Sequence, residues 1–188
     1  MPRLLLALPL ALLTTFAQAE DAHHHSPGRH HEPGQEAALA AHEHGSALLN
    51  LALDGDVLEI EFASPAMNLL GFEHAARGDE DRTRVEATRA RLEQPLDLFG
   101  VPAAAGCQVR EHSLHGAHFE ATGTARQEHS EIEARYRLQC STPDALQGLN
   151  LAALFGTFPA TQKIQVQLIG PRGQQGLELS PERSGLTF

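Results

Sequence analysis

The ten residues Glu131-Ile132-Glu133-Ala134-Arg135-Tyr136-Arg137-Leu138-Gln139-Cys140 alternate without a break between polar and apolar side chains. Successive side chains of an extended chain point to opposite faces, so this segment has one dry face and one wet face and suits a strand of a sheet covered on one side only. The same period of two appears in Leu49, Leu51 and Leu53, in Leu58, Ile60 and Phe62, and in Ile164, Val166 and Leu168. Asp54-Gly55-Asp56 separates the first two runs and signals a hairpin. Gly170-Pro171-Arg172-Gly173 turns the third into a partner over Gln174 to Leu179, and a further strand is expected near Cys107-Gln108-Val109.

Helix signals are fewer. Residues 79–94 form the best candidate: Asp79, Glu80 and Asp81 complement the helix dipole in the first turn, and Glu80 to Arg84, Arg82 to Glu86 and Arg89 to Glu93 are i,i+4 pairs. Its apolar stripe of Val85, Ala87, Thr88, Ala90 and Leu92 is thin, which predicts a surface helix stopped by Pro95. Ser141-Thr142-Pro143-Asp144 predicts a short helix through Gly148, while residues 66–74 read as a packed loop or short turn. The order ββαββαββ implies an α+β fold: one domain on a mainly antiparallel sheet of about six strands.

Ahead of this domain the chain changes character. Met1-Pro2-Arg3, the apolar run Leu4 to Leu13 and Ala17-Gln18-Ala19 have the form of a secretory signal peptide cleaved after Ala19, too short in its apolar core to span a bilayer. Residues 20–41 then read as a disordered tail holding His23, His24, His25, His30 and His31 between Pro-Gly steps, with the folded domain expected over 42–188. These features predict a soluble periplasmic protein with no membrane insertion after cleavage. Its formal charge of −10 argues against nucleic acid, which needs a basic surface.

Histidine is the loudest compositional signal, with 12 residues against a single lysine. Neutral imidazole is the commonest ligand for Zn2+, and Cu2+ and Ni2+ suit it too. Extending the first strand back to His42 would put His42 and His44 on one face, opposite Leu49, Leu51 and Leu53. His129 would share the wet face of the fourth strand with Glu131 and Glu133, and His112, His115 and His118 would lie in a loop before it. His74, beside Glu73, reads equally as a structural group or a ligand. Cys107 and Cys140 suit a disulfide in an oxidising compartment, with a thiolate zinc pair as the alternative.

Motifs for organic catalysis are missing. His42-Glu43-His44 lacks the i,i+4 spacing of H-E-x-x-H, and the chain has no G-x-S-x-G elbow, CxxC or phosphate loop, so an enzyme is not expected.

Taken together, Glu43-His44-Gly45, Leu49 to Gly55, Ser64-Pro65-Ala66-Met67-Asn68-Leu69-Leu70-Gly71-Phe72-Glu73-His74, Glu128-His129-Ser130-Glu131 and Val166 to Pro171 resemble the ZrgA-like family of zinc-regulated periplasmic proteins. The resemblance implies zinc binding in support of a zinc ABC importer. It picks out His44, His74 and His129 as shared histidines, with His42 and Glu131 as neighbours. Many relatives carry a dense His/Asp tract between the third and fourth strands, where this chain has only His112, His115 and His118 before His129. A metal buffer with no transport partner and a metal-independent interaction domain are the other functions consistent with these residues.

Overall fold

The computed structural model describes residues 43–119 and 130–188. The expected signal peptide and tail, with His23, His24, His25, His30 and His31, lie outside the described residues, as do His42 and His129.

Six strands form one sheet in the order β3-β4-β2-β1-β6-β7. β1 (Ser46–Asp54) and β2 (Val57–Pro65) make the expected hairpin, with Leu49 opposite Phe62, Leu51 opposite Ile60 and Leu53 opposite Leu58. β3 (Cys107–His115) and β4 (Glu131–Cys140) extend it on one side, and β6 (Lys163–Gly170) and β7 (Gly173–Leu179) on the other. The sheet is mainly antiparallel, but one interior pair, β1 with β6, is parallel. A second, two-stranded sheet joins β5 (Gly148–Asn150) to β8 (Gly185–Thr187).

Alternation in the sequence translates directly into burial. Ile132, Ala134, Tyr136, Leu138 and Cys140 are all buried, as are Leu49, Leu51, Leu58, Ile60, Phe62, Ile164, Val166 and Leu168. They share one core with α1 (Ala66–Leu70), the C-terminal end of α2 (Asp79–Leu92), α3 (Pro95–Leu98) and α4 (Ala152–Thr157). Phe99 sits between Phe62 and Tyr136 in edge-to-face contacts of 5.8 and 5.6 Å, and the Tyr136 hydroxyl donates to the Leu92 carbonyl at 2.7 Å, tying sheet to helix. The opposite sheet face is polar: Arg137 pairs with Glu59, and Arg135 lies 3.7 Å from Glu61 and 3.3 Å from Glu133.

The order ββαββαββ requires correction. Residues 66–74 contain a helix, α1, closed by Gly71 in the left-handed region at φ +80°. The helix expected through Gly148 is a single 3-10 turn, Pro143–Ala145, and the helix proper comes later, at Ala152–Thr157. Apolar Leu151, Leu154 and Phe155 find core partners there, whereas the 141–148 segment buries only Leu146. α2 ends two residues before the expected boundary, and Pro95 opens α3 rather than ending helical structure.

β1 starts at Ser46, so parity cannot be carried back to His42. Gly45 sits at φ +85° in a turn where the Ser46 N–H donates to the Glu43 carbonyl at 3.0 Å. A left-handed residue interrupts the two-residue repeat, and His44 is aimed by that turn instead.

Candidate metal centre

Register brings one end of each of five strands together. Ser46 at the start of β1 faces Lys163 at the start of β6, Pro65 at the end of β2 faces Glu131 at the start of β4, and His115 at the end of β3 faces Glu133. The segments that leave the sheet here carry His44, Glu73, His74 and His118.

His44 donates from Nε2 to Glu73 Oε1 at 3.1 Å, with half of the His44 side chain exposed and the carboxylate 10 % exposed. A carboxylate only accepts, so the proton is on Nε2 and the Nδ1 lone pair is left for another partner. His74 donates from Nδ1 to the Ala75 carbonyl at 3.0 Å, leaving Nε2 as its basic nitrogen, with Asp81 Oδ2 4.0 Å from Nδ1. Phe72 connects His74 to His118: its ring stacks on His74 at 4.9 Å and meets His118 edge-on at 5.5 Å.

His118 Nε2 is 2.9 Å from Ser130 Oγ, which itself donates to the Glu73 carbonyl at 3.3 Å. Burial lowers the His118 pKa from its ordinary value; the Glu73 backbone carbonyl opposes this, and His74 adds to it. The outcome is a ring that favours the neutral form, the state in which imidazole binds a metal.

The arrangement corrects the loop expected for three histidines. His112 and His115 lie within β3, on opposite faces, since they are three residues apart on a strand. His115 pairs with Glu133 on the polar face and His112 with Tyr136 on the helix side, so they do not converge on one ion. His118 turns in beyond the strand. Glu131 follows the parity of Glu133, facing away from Ser130. Glu43 turns to Lys163 instead of the histidines, at 2.9 Å, and its carboxylate holds that ammonium above its ordinary pKa.

Among the described residues, no three His, Cys, Asp or Glu side chains are placed to hold one ion together. What they do provide is two imidazoles with assigned free nitrogens, a third half-buried ring and a sheltered carboxylate. This is nitrogen and oxygen donor chemistry of the kind zinc accepts. Glu73 and Ser130 lie within the stretches that carry the family resemblance, but no role for either is legible in the sequence, and their contacts with His44 and His118 depend on the fold.

The family model described as ZrgA family zinc uptake protein matches residues 41–188. The chain belongs to the ZrgA family. Among curated proteins, none matches it. Membership in the ZrgA family points to a role in zinc uptake for the chain, and the ZrgA family is described as one of uptake proteins, not of enzymes. The match begins at residue 41, so it includes the His-Glu-His step and the whole described sheet, and it leaves out the preceding histidine run. The bond between Cys107 and Cys140, directly opposed across β3 and β4, agrees with the oxidising compartment expected of a ZrgA protein. Those thiols are therefore not zinc ligands.

Proposed function

We propose that this protein captures Zn2+ in the periplasm and supplies it to a high-affinity ABC importer. The folded site is formed by His44, His74 and His118 with Glu73 at one end of the sheet, completed by His42 or His129. Residues His23, His24, His25, His30 and His31 act as a tethered collector that raises the zinc concentration beside the site, and His112, His115 and Glu131 act as outer, weaker groups. Zinc is cargo here, so binding must be tight enough to capture the ion and open enough to release it. The hydrogen bond of His44 to Glu73 and the packing of His74 and His118 against Phe72 at the same sheet end support the reading, whereas His112 and His115 lie on opposite faces of β3.

The test is a zinc titration of the mature protein against a chromophoric chelator. His44→Ala combined with His118→Ala, and separately with His129→Ala, should each weaken binding by at least about 100-fold, more than the loss of an outer-shell partner. Unchanged affinity in both double variants would remove the folded site. Deletion of the gene separates delivery from storage: poor growth under zinc starvation supports the importer role, and sensitivity confined to metal excess supports a buffer.

A further inference from the structure

We infer that Asn68 is the positioning residue of the histidine end, holding the His44 turn and the Glu73–His74 segment in one frame; this rests on the zinc reading above. Asn68 is on α1 among Ala66, Leu69 and Leu70, and like them it is buried, at 3 % exposure. An amide in such a place is costly unless its polar atoms are bonded. Its Oδ1 accepts from the Gly45 N–H at 2.7 Å, and Nδ2 donates to the Ser46 carbonyl at 2.9 Å and to Ser64 Oγ at 3.1 Å. Both N–H groups are spent and one carbonyl lone pair is used.

Those contacts fix the backbone immediately after His44. The Gly45 carbonyl also accepts from the N–H groups of Gln162 and Lys163, at 2.7 and 3.0 Å, so the turn is held from the β6 side as well. Three residues beyond Asn68, Gly71 ends α1 in the left-handed region and releases the chain into Phe72, Glu73 and His74. The 3.1 Å contact between His44 and Glu73 therefore depends on the distance between the turn and α1, which the Asn68 amide sets. Ser130 ties in the third segment: its carbonyl accepts from the Ala66 N–H at the start of α1 at 2.8 Å, and its hydroxyl reaches His118 and the Glu73 carbonyl. Of the five buried polar residues among those described, Ser64, Asn68 and Ser130 belong to this one network. An aliphatic residue would fill the same core space at lower cost but could not join the two segments.

Asn68→Ala in the mature full chain tests this, with Leu69→Ala as a control that damages the same helix without touching either segment. Three quantities are measured: zinc affinity by chelator competition, the visible absorption of the Co2+ form, and the apo melting temperature. Asn68→Ala should weaken zinc about 10- to 100-fold, as outer-shell losses do, and reduce the intensity of the tetrahedral Co2+ bands. Leu69→Ala should lower the melting temperature at least as much while keeping both metal readouts. If Asn68→Ala does not fold, Gly45→Ala loosens the same turn: an added Cβ has room, 3.6 Å from Gln162, but the φ of +85° resists it, and the same loss of affinity is expected. Wild-type affinity and Co2+ spectrum in the folded variant, with only a lower melting temperature, would overturn the role of Asn68. In that outcome a loss of affinity in His44→Ala with His118→Ala would show that the zinc reading itself survives; its absence would overturn both.

Discussion

The two ends of the six-stranded sheet differ in what is added to the backbone hydrogen bonds that both carry. At one end the Cys107–Cys140 disulfide and backbone contacts do the work: the Cys140 N–H donates to the Asp56 carbonyl at 2.8 Å and the Thr142 N–H to the Ala105 carbonyl at 3.0 Å. At the other, side chains hold segments that have left the sheet: Asn68 to Gly45 and Ser46, Ser130 to Glu73 and His118, Lys163 to Glu43, and His44 to Glu73. Backbone and covalent closure resists opening whatever the side chains are. Side-chain closure places functional groups and lets them exchange one partner for another. The cargo site proposed above lies at the second end, where His44, His74 and His118 leave the sheet.

The strongest challenge to this division removes the disulfide. Cys107→Ala with Cys140→Ala frees a loop spanning 33 positions and should cost about 3 to 4 kcal/mol of unfolding free energy in the chain-entropy model, measured by denaturant titration. Zinc affinity of the folded variant should stay within about twofold of wild type, since the disulfide lies at the opposite end of β3 and β4 from His118 and Ser130; a large loss would show that the two ends are coupled. The histidine double variants should behave in the reverse manner, losing zinc while apo stability falls by only about 1 kcal/mol per hydrogen bond removed.

Acid sharpens the comparison. Because burial lowers the His118 pKa in the folded state, the unfolded chain takes up its proton first as pH falls. The stabilisation from the neutral ring is full above the ordinary value of 6.5 and is lost as pH drops through it towards the folded value. Apo melting temperatures from pH 7.5 to 5 should therefore fall, and His118→Gln should flatten that slope. Zinc affinity should drop over the same range, because protons compete for imidazole.

The smallest effect is expected on the polar sheet face. Glu59→Gln with Arg137→Gln removes an ion pair whose side chains are about half exposed, and should change stability by no more than about 1 kcal/mol with no effect on zinc. A larger loss would mean that this face carries more of the fold than solvent screening allows.

Much of the sheet was legible because alternation is a local signal. Ile132 to Cys140, Leu58 to Phe62 and Ile164 to Leu168 bury the residues their parity selects, as do Leu49 and Leu51, while Leu53 at the strand end is only partly buried. The 54–57 and 170–173 turns were legible for the same reason, and so was the surface helix at 79–92, whose ends carry the charges its dipole favours. The parallel pairing of β1 with β6 was not, since nothing in either run names a partner more than a hundred positions away. Parity also failed at His44, because one left-handed glycine, Gly45, resets the direction of the chain.

By itself, then, the sequence determined the strands, their buried faces and the excess of imidazole, all properties of residues within a few positions of one another. The tertiary structure decided which partners the imidazoles have. It set His112 and His115 on opposite faces of an edge strand, brought His44 to Glu73 across 29 positions, and placed His118 against Ser130. Those choices depend on strand order and on a few buried polar side chains, and neither leaves a periodic trace in the chain.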